Sequence, residues 1–307
     1  MMLRAFNVLD KHSIWCKRHR KKLLVAVSAL LCIYTVYMLV HYTILILVAD
    51  QFVIPTSSMM PTLIPGDRVI IDKTIMGARI YTDFNFKKGG QRLQCFRTKG
   101  RRTLQHNDIV VFNFPRPEWN DICFEINNVW CKRILALPGD TLYVENGIYR
   151  NNNYDGKLGV IENQKKMSAT PDSVLMARGE FITAWLMPEQ WTVKNMGPYY
   201  IPRKGDVIKF RPNDVTLYHD IVKKETGKEL IWNWEVDSAM LDGRTIANYI
   251  FRDNYYFLGG DNVLGSVDSR FWGLVPEDYV VGVAKIISYS RDKETKKIRW
   301  DRMLKRL

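Results

Sequence analysis

The sequence predicts a mainly β protein: a β-rich body with a nested, smaller α+β insert, preceded by one transmembrane helix. Three observations predict it. Residues 23–49 contain no Lys, Arg, Asp or Glu. Beyond them, short runs rich in β-branched and aromatic residues are broken by Gly, Pro and Asn, the pattern of short strands and turns. That pattern weakens over 151–250 and returns through "YYFLGGDN".

Taken in order, residues 1–22 form a basic tail. The uncharged run at 23–49 would extend about 40 Å as a helix, against a hydrocarbon core of about 30 Å. A cleaved secretory leader would have a shorter apolar stretch and a small-residue cleavage site, which "YTVYMLVHYTILILVADQF" does not offer. Lys17, Arg18, Arg20, Lys21 and Lys22 stand before the helix and Asp50 after it, so the positive-inside rule predicts a cytoplasmic N-terminus. His41, inside the run, reads as a neutral or interfacial histidine. The β body starts at 50–150, where "DRVIID", "DIVVFNF", "VWCKRILAL" and "TLYVENGIYR" read as strands. Asn146-Gly147 and Asp242-Gly243 suit two-residue hairpin turns. The insert spans 151–250 and should hold a helix in "NDVTLYHDIVKKETGKEL", capped by Asn213 or Asp214 and stopped by Gly227. Residues 251–307 return to the body and end in a basic tail, and Tyr255 and Tyr256 read as sheet or core residues. Trp272 and "KKIRWDRMLKRL" suit either anionic headgroups or, for the tail, plain solvation.

The 307 residues carry a net charge of +13. Residues 1–22 hold seven Lys/Arg against one acid and residues 285–307 nine against three, leaving one net positive charge for the rest. A basic groove for nucleic acid is therefore not expected. The cysteines beyond the helix, Cys95, Cys123 and Cys131, lack metal-ligand spacing. A Cys123–Cys131 disulfide remains open for an exported domain.

The chemistry centres on "VIPTSSMMPTLIPGDRVI" at 53–70, where Thr56, Ser57 and Ser58 lie between prolines and methionines. A serine nucleophile needs a base. His219 belongs to the expected helix and nothing in the sequence links His106 to a serine. A lysine held neutral by burial is the other means. Lys132 stands in an apolar strand beside Arg133, and since neighbours on a strand face opposite ways, at least one cation meets a covered surface. Taken alone, an edge-strand lysine that discourages aggregation is the plainer reading.

"IPTSSMMPTLIPGD" resembles the nucleophile motif of type I signal peptidases, the bacterial leader peptidases that use a Ser/Lys pair. "NDIVVF" is similar to the family's next strand, with Asn107 where glycine is usual. "KRILALPGD" and "GGDNVLGSVDSRFWGLVP" resemble its lysine and closing motifs. These occur in the family's order and span 52–140 and 256–287. "GPYYIPRKGDVIKF" is similar to signal peptidases of the Bacteroidetes group. The resemblance implies Ser58 as nucleophile, Lys132 as general base, and the Thr56 hydroxyl with the Ser58 amide as oxyanion hole. It implies that Ser266 orients the base, that Asp268 and Arg270 support the site, and that Ser57 is a solvated turn residue. It implies a substrate pocket at Phe52, Ile54, Pro55, Met59, Leu63, Trp130 and Cys131, admitting small side chains one and three residues before the scissile bond. Val263 departs from the pattern, which commonly has arginine there, so a smaller ion-pair network is expected around Asp268.

The function so implied is a membrane-anchored serine endopeptidase that removes signal peptides from exported preproteins, with no metal or cofactor. Its expected partners are preproteins, the lipid bilayer and, transiently, the secretion translocon. Its expected place is the bacterial inner membrane, single-pass, with the large domain on the outer, periplasmic side. A maturation peptidase with one substrate, or an inactive tethered module that binds signal peptides, are the alternatives; three intact site residues argue against the inactive one.

Overall fold

The computed structural model describes residues 2–83, 93–119, 121–181, 183 and 187–307, residues 2–19 by their backbone alone. It divides into two compact units, Met1–Val48 and Ala49–Leu307. The first is a helix, α1 (Met2–Leu47). Its segment Arg20–Leu47 is long and apolar enough to cross a membrane, and Leu23, Leu30, Ile33 and Leu39 are all exposed. Apolar side chains exposed along a helix suit a lipid environment. The helix stops two residues short of the expected 49, because Ala49 and Asp50 already pair with Asp72 and Ile71 in a strand.

The second unit begins with β1 (Ala49–Val53), β2 (Asp67–Asp72), β3 (Arg79–Tyr81), β4 (Cys95–Arg97), β5 (Ile109–Asn113) and β6 (Val129–Ala136). Next come β7 (Thr141–Glu145), β8 (Ile148–Asn151), α2 (Ile161–Ala169), α3 (Asp172–Ala177), β9 (Met196–Tyr200), β10 (Val207–Ile208) and α4 (Pro212–Thr226). The chain continues through β11 (Leu230–Asn233), β12 (Ser238–Leu241), β13 (Arg244–Thr245) and β14 (Tyr249–Ile250). It closes with β15 (Tyr255–Gly259), α5 (Ser269–Trp272), β16 (Val275–Pro276), β17 (Val280–Ser290) and β18 (Lys305–Arg306).

The main sheet has the order β1-β2-β17-β5-β6-β15-β16, with β18 added to β17, and is antiparallel throughout. It interleaves strands from both ends of the unit. Its centre is β5, all five residues of which are buried. Val110 and Phe112 pack with Ile134, Leu258 and Trp272, whereas Ile109 and Val111 join Met59, Leu63, Val69 and Ile287. This alternation places one hydrophobic layer on each face. β7 pairs with β8 on one side and β9 on the other, in a sheet separate from the main one.

Both expected hairpins form. Asn146 and Gly147 turn at φ 47° and 80°, Asp242 and Gly243 at 53° and 76°, the left-handed pair that such a turn requires. The expected helix is α4, ended by Gly227 at φ 73°. Its cap is Arg211, not Asn213 or Asp214, because Pro212 takes the first helical position. Asp214 accepts instead from the Arg211 amide, at 2.9 Å. Trp272 cannot meet headgroups: it is fully buried, edge-on to Phe114 at 5.6 Å. Nor is the basic end simply a solvated tail. β18 pairs with β17, and Arg302 binds the buried Asp67 carboxylate at 2.6 Å.

Candidate active site

The segment after β1 leaves the sheet, makes a compact turn and re-enters at β2. Met60 N donates to Ser57 O at 3.0 Å and Leu63 N to Met59 O at 2.9 Å, tightening the turn. Met59 and Leu63, both buried, pin its underside to the core. The hydroxyls are thereby left on the open side: Thr56 and Ser57 are exposed and Ser58 is half-buried. Apolar side chains flank the hydroxyls because the turn needs anchors beneath them.

β6 delivers the amine. Lys132 is 3% exposed, and its Nζ donates to Ser58 Oγ at 2.6 Å. The same Nζ lies 5.5 Å from the centre of the Trp130 ring. Burial pushes the Lys132 amine below its ordinary lysine value, and the nearby Asp268 carboxylate opposes that shift without cancelling it. A buried lysine with a lowered affinity for its proton, in contact with a serine hydroxyl, can accept a proton from it. Thr56 Oγ1 lies 3.4 Å from Ser58 Oγ.

A third segment closes the site from behind. Asn262 N donates to Ser58 O at 3.0 Å, and Asn262 Nδ2 to Ser57 O at 3.2 Å. Asp268 and Arg270, both fully buried, form a two-pronged pair at 2.8 and 2.9 Å. Gly260 N donates to Asp268 Oδ2 at 3.0 Å. Burial alone would raise the Asp268 carboxyl, but the Arg270 charge and its hydrogen bonds hold it below the usual range.

A cleft of about 370 Å³ opens beside Ser58 and Lys132. One wall is Phe52 to Thr56, and the other is Val129 to Cys131 with Val111 behind. Gly265 and Val267 also line it.

The family model described as signal peptidase, peptidase S26 matches residues 26–289. The chain belongs to this family. Among relatives of the peptidase, signal peptidase I of Buchnera aphidicola subsp. Acyrthosiphon pisum (strain APS) is 29% identical over 247 residues, covering 80% of this chain and 69% of its own. Signal peptidase I of Aquifex aeolicus (strain VF5) is 27% identical over 247 residues, covering 79% and 77%. That of Helicobacter pylori (strain ATCC 700392 / 26695) is 23% identical over 288 residues, covering 85% and 87%.

Of the sequence-derived site residues, Ser58, Lys132, Thr56, Phe52, Ile54, Pro55, Met59, Trp130 and Cys131 all border the cleft of this signal peptidase. Leu63 does not. It lies entirely in the core under the turn, where it fixes Ser58 from below. Ser266 is buried nearby, but its hydroxyl has no hydrogen-bond partner among the described residues, so the expected bond to Lys132 is not formed. The amine is taken by Ser58 instead, and Ser266 Oγ lies where a Cβ on Gly260 would come within 2.1 Å of it. No disulfide joins Cys123 to Cys131; Cys131 lines the cleft as a thiol, which burial pushes up to about 12. Val263 puts its side chain into the core and offers its carbonyl to Arg270 Nη2 at 2.8 Å. No second arginine reaches Asp268 among the described residues.

Sequence reasoning missed one cation's partner. Arg133, the neighbour of Lys132, holds Asp261 with two bonds of 2.6 and 2.7 Å and donates to Asn107 O at 2.8 Å. Its signal was the charged pair itself: two adjacent cations in an apolar strand need two destinations. Asn107 adopts φ 69°, a left-handed conformation that suits glycine and tolerates asparagine. That accounts for a departure noted in the sequence.

Proposed function

We propose that this peptidase cleaves N-terminal signal peptides from exported preproteins with Ser58 as nucleophile and neutral Lys132 as general base. One observation carries the reading: the 2.6 Å contact between a buried amine and the serine hydroxyl at the edge of an open cleft. Lys132 Nζ takes the Ser58 proton as Oγ bonds to the scissile carbonyl carbon. The negative oxygen that forms is met by the Ser58 amide and the Thr56 hydroxyl. The ammonium returns its proton to the departing amine. A water molecule, deprotonated by the same Lys132, then releases the acyl group and regenerates Ser58. Ser266 has a buried hydroxyl with no partner, a group that favours finding one. In this reading it holds Lys132 while Ser58 is acylated. Asp268 and Arg270 keep the loop carrying Ser266 in shape.

The substrate lies extended in the cleft, its backbone along the strand edges and alternate side chains directed at the two walls. Phe52, Ile54 and Trp130 restrict these places to small residues such as alanine. The α1 helix anchors the peptidase with its N-terminus in the cytoplasm and Ala49–Leu307 outside the bacterial inner membrane. The bilayer and, transiently, the translocon are then its neighbours. Ser58→Ala should abolish cleavage of a purified preprotein, and Ser57→Ala should leave most of it. Loss of activity in Ser57→Ala with retention in Ser58→Ala would overturn the assignment. Ready cleavage after leucine would remove the pocket.

A further inference from the structure

The nucleophile turn is held from two directions, and one of the holders comes from α2, outside the motifs at 52–140 and 256–287. Asn163, on the first turn of α2, uses both hydrogens of its amide nitrogen. One goes to Met60 O at 3.1 Å, two residues after Ser58, and the other to Asp261 O at 2.7 Å. A single side chain thus ties the Ser58 turn to the loop whose next residue, Asn262, binds the carbonyls of Ser57 and Ser58. An amide is the right group for the task, since both targets are carbonyl oxygens and need donors.

The helix is itself anchored. Gln164, the next residue, is fully buried. Its Oε1 accepts from Tyr149 N at 3.0 Å and its Nε2 donates to Leu158 O at 2.5 Å, fixing α2 against β8. The approach to α2 is fixed in turn by Asn107. Its side chain accepts from Gly159 N and donates to Lys157 O, each at 2.8 Å. Its carbonyl accepts from Arg133, the neighbour of Lys132. The chain of contacts runs from the base strand through Asn107 and α2 to the nucleophile turn.

From this geometry we infer that α2 is a brace for the nucleophile and that Asn163 is a positioning residue, setting the turn of Ser58 against Lys132. The inference rests on the Ser58/Lys132 reading above. Because the brace touches neither substrate nor reacting atoms, its loss should appear in kcat and not in KM. A small displacement of a reacting group costs a large factor in rate.

The test compares Asn163→Ala, Asn163→Asp and Glu162→Ala in the full-length protein, the last altering an exposed neighbour on the same helix turn. Steady-state cleavage of a preprotein should show kcat lowered about tenfold or more in Asn163→Ala, with KM within about twofold of the parent. Asn163→Asp keeps the shape but cannot donate, and should fall at least as far. Glu162→Ala should match the parent, and Asn163→Ala should keep the parent's circular dichroism spectrum at the assay temperature. Parental kcat in either Asn163 variant would overturn the brace, as would a rate loss expressed wholly in KM. Ser58→Ala, assayed alongside, separates the two levels. If it is inactive while Asn163→Ala is fully active, the brace falls and the Ser/Lys reading stands; if it remains active, both fall.

Discussion

Lys132 is a residue whose surroundings decide its chemistry. Burial makes its ammonium form costly, Asp268 offsets part of that cost, and the net direction is toward the neutral amine. The amine accepts a proton only when it does not already carry one, so activity should fall as pH drops through the Lys132 pKa and rise as pH climbs above it. That limb should lie below the ordinary lysine value of about 10.4. A pH–rate profile of kcat/KM reads it directly, and a limb at or above the ordinary value would contradict the role given to burial. Lys132→Arg supplies the sharper comparison. A guanidinium keeps its proton to a pH above about 12, so this variant should be as inactive as Lys132→Ala despite its retained charge. Measurable turnover by Lys132→Arg would mean that another group is the base.

At the scale of elements, the loop following β15 decides how closely the serine turn can approach. A Cβ on Gly260 would lie 2.1 Å from Ser266 Oγ and 2.6 Å from Ser58 O. The Ser266 hydroxyl can rotate away, but Ser266 Cβ, at 2.5 Å, and the Ser58 carbonyl are fixed to the backbone and must move. Gly260→Ala should therefore cost about a hundredfold in kcat while the circular dichroism spectrum stays that of the parent. Undiminished turnover would show that the turn has slack. Such contacts explain what the sequence could and could not disclose. β2 was legible because Val69 and Ile71 alternate with more exposed positions, and α4 because Gly227 marks its end. That Ser58 and Lys132 meet was legible from motif resemblance. The helices α2 and α3 were not, since α2 buries only Gln164 and Met167 and has no apolar stripe. Asn163 was hidden for a related reason, as were the partners of Gly260 and Arg133: each acts on a residue roughly a hundred or more positions away, and a local pattern does not disclose that partner.

On the scale of the whole molecule, the proposed orientation sets every residue after α1 outside the cytoplasm. Protease added to spheroplasts should reduce the 35.9 kDa chain to a fragment little longer than α1. A large domain that survives until the membrane is opened would reverse the orientation. The way the sheet interleaves both ends of the unit has a consequence in time. Asn262 binds the carbonyl of Ser57 from 205 positions later, and Arg302 binds Asp67 from 235 positions later. At about 5–20 residues per second, synthesis needs on the order of 10–40 s to advance from the serine to the asparagine that holds it. Throughout that interval the emerging chain carries Ser58 and, before long, Lys132, without the loop that holds the serine turn in place. The serine turn is thus made first and waits for a holder synthesised 205 residues later.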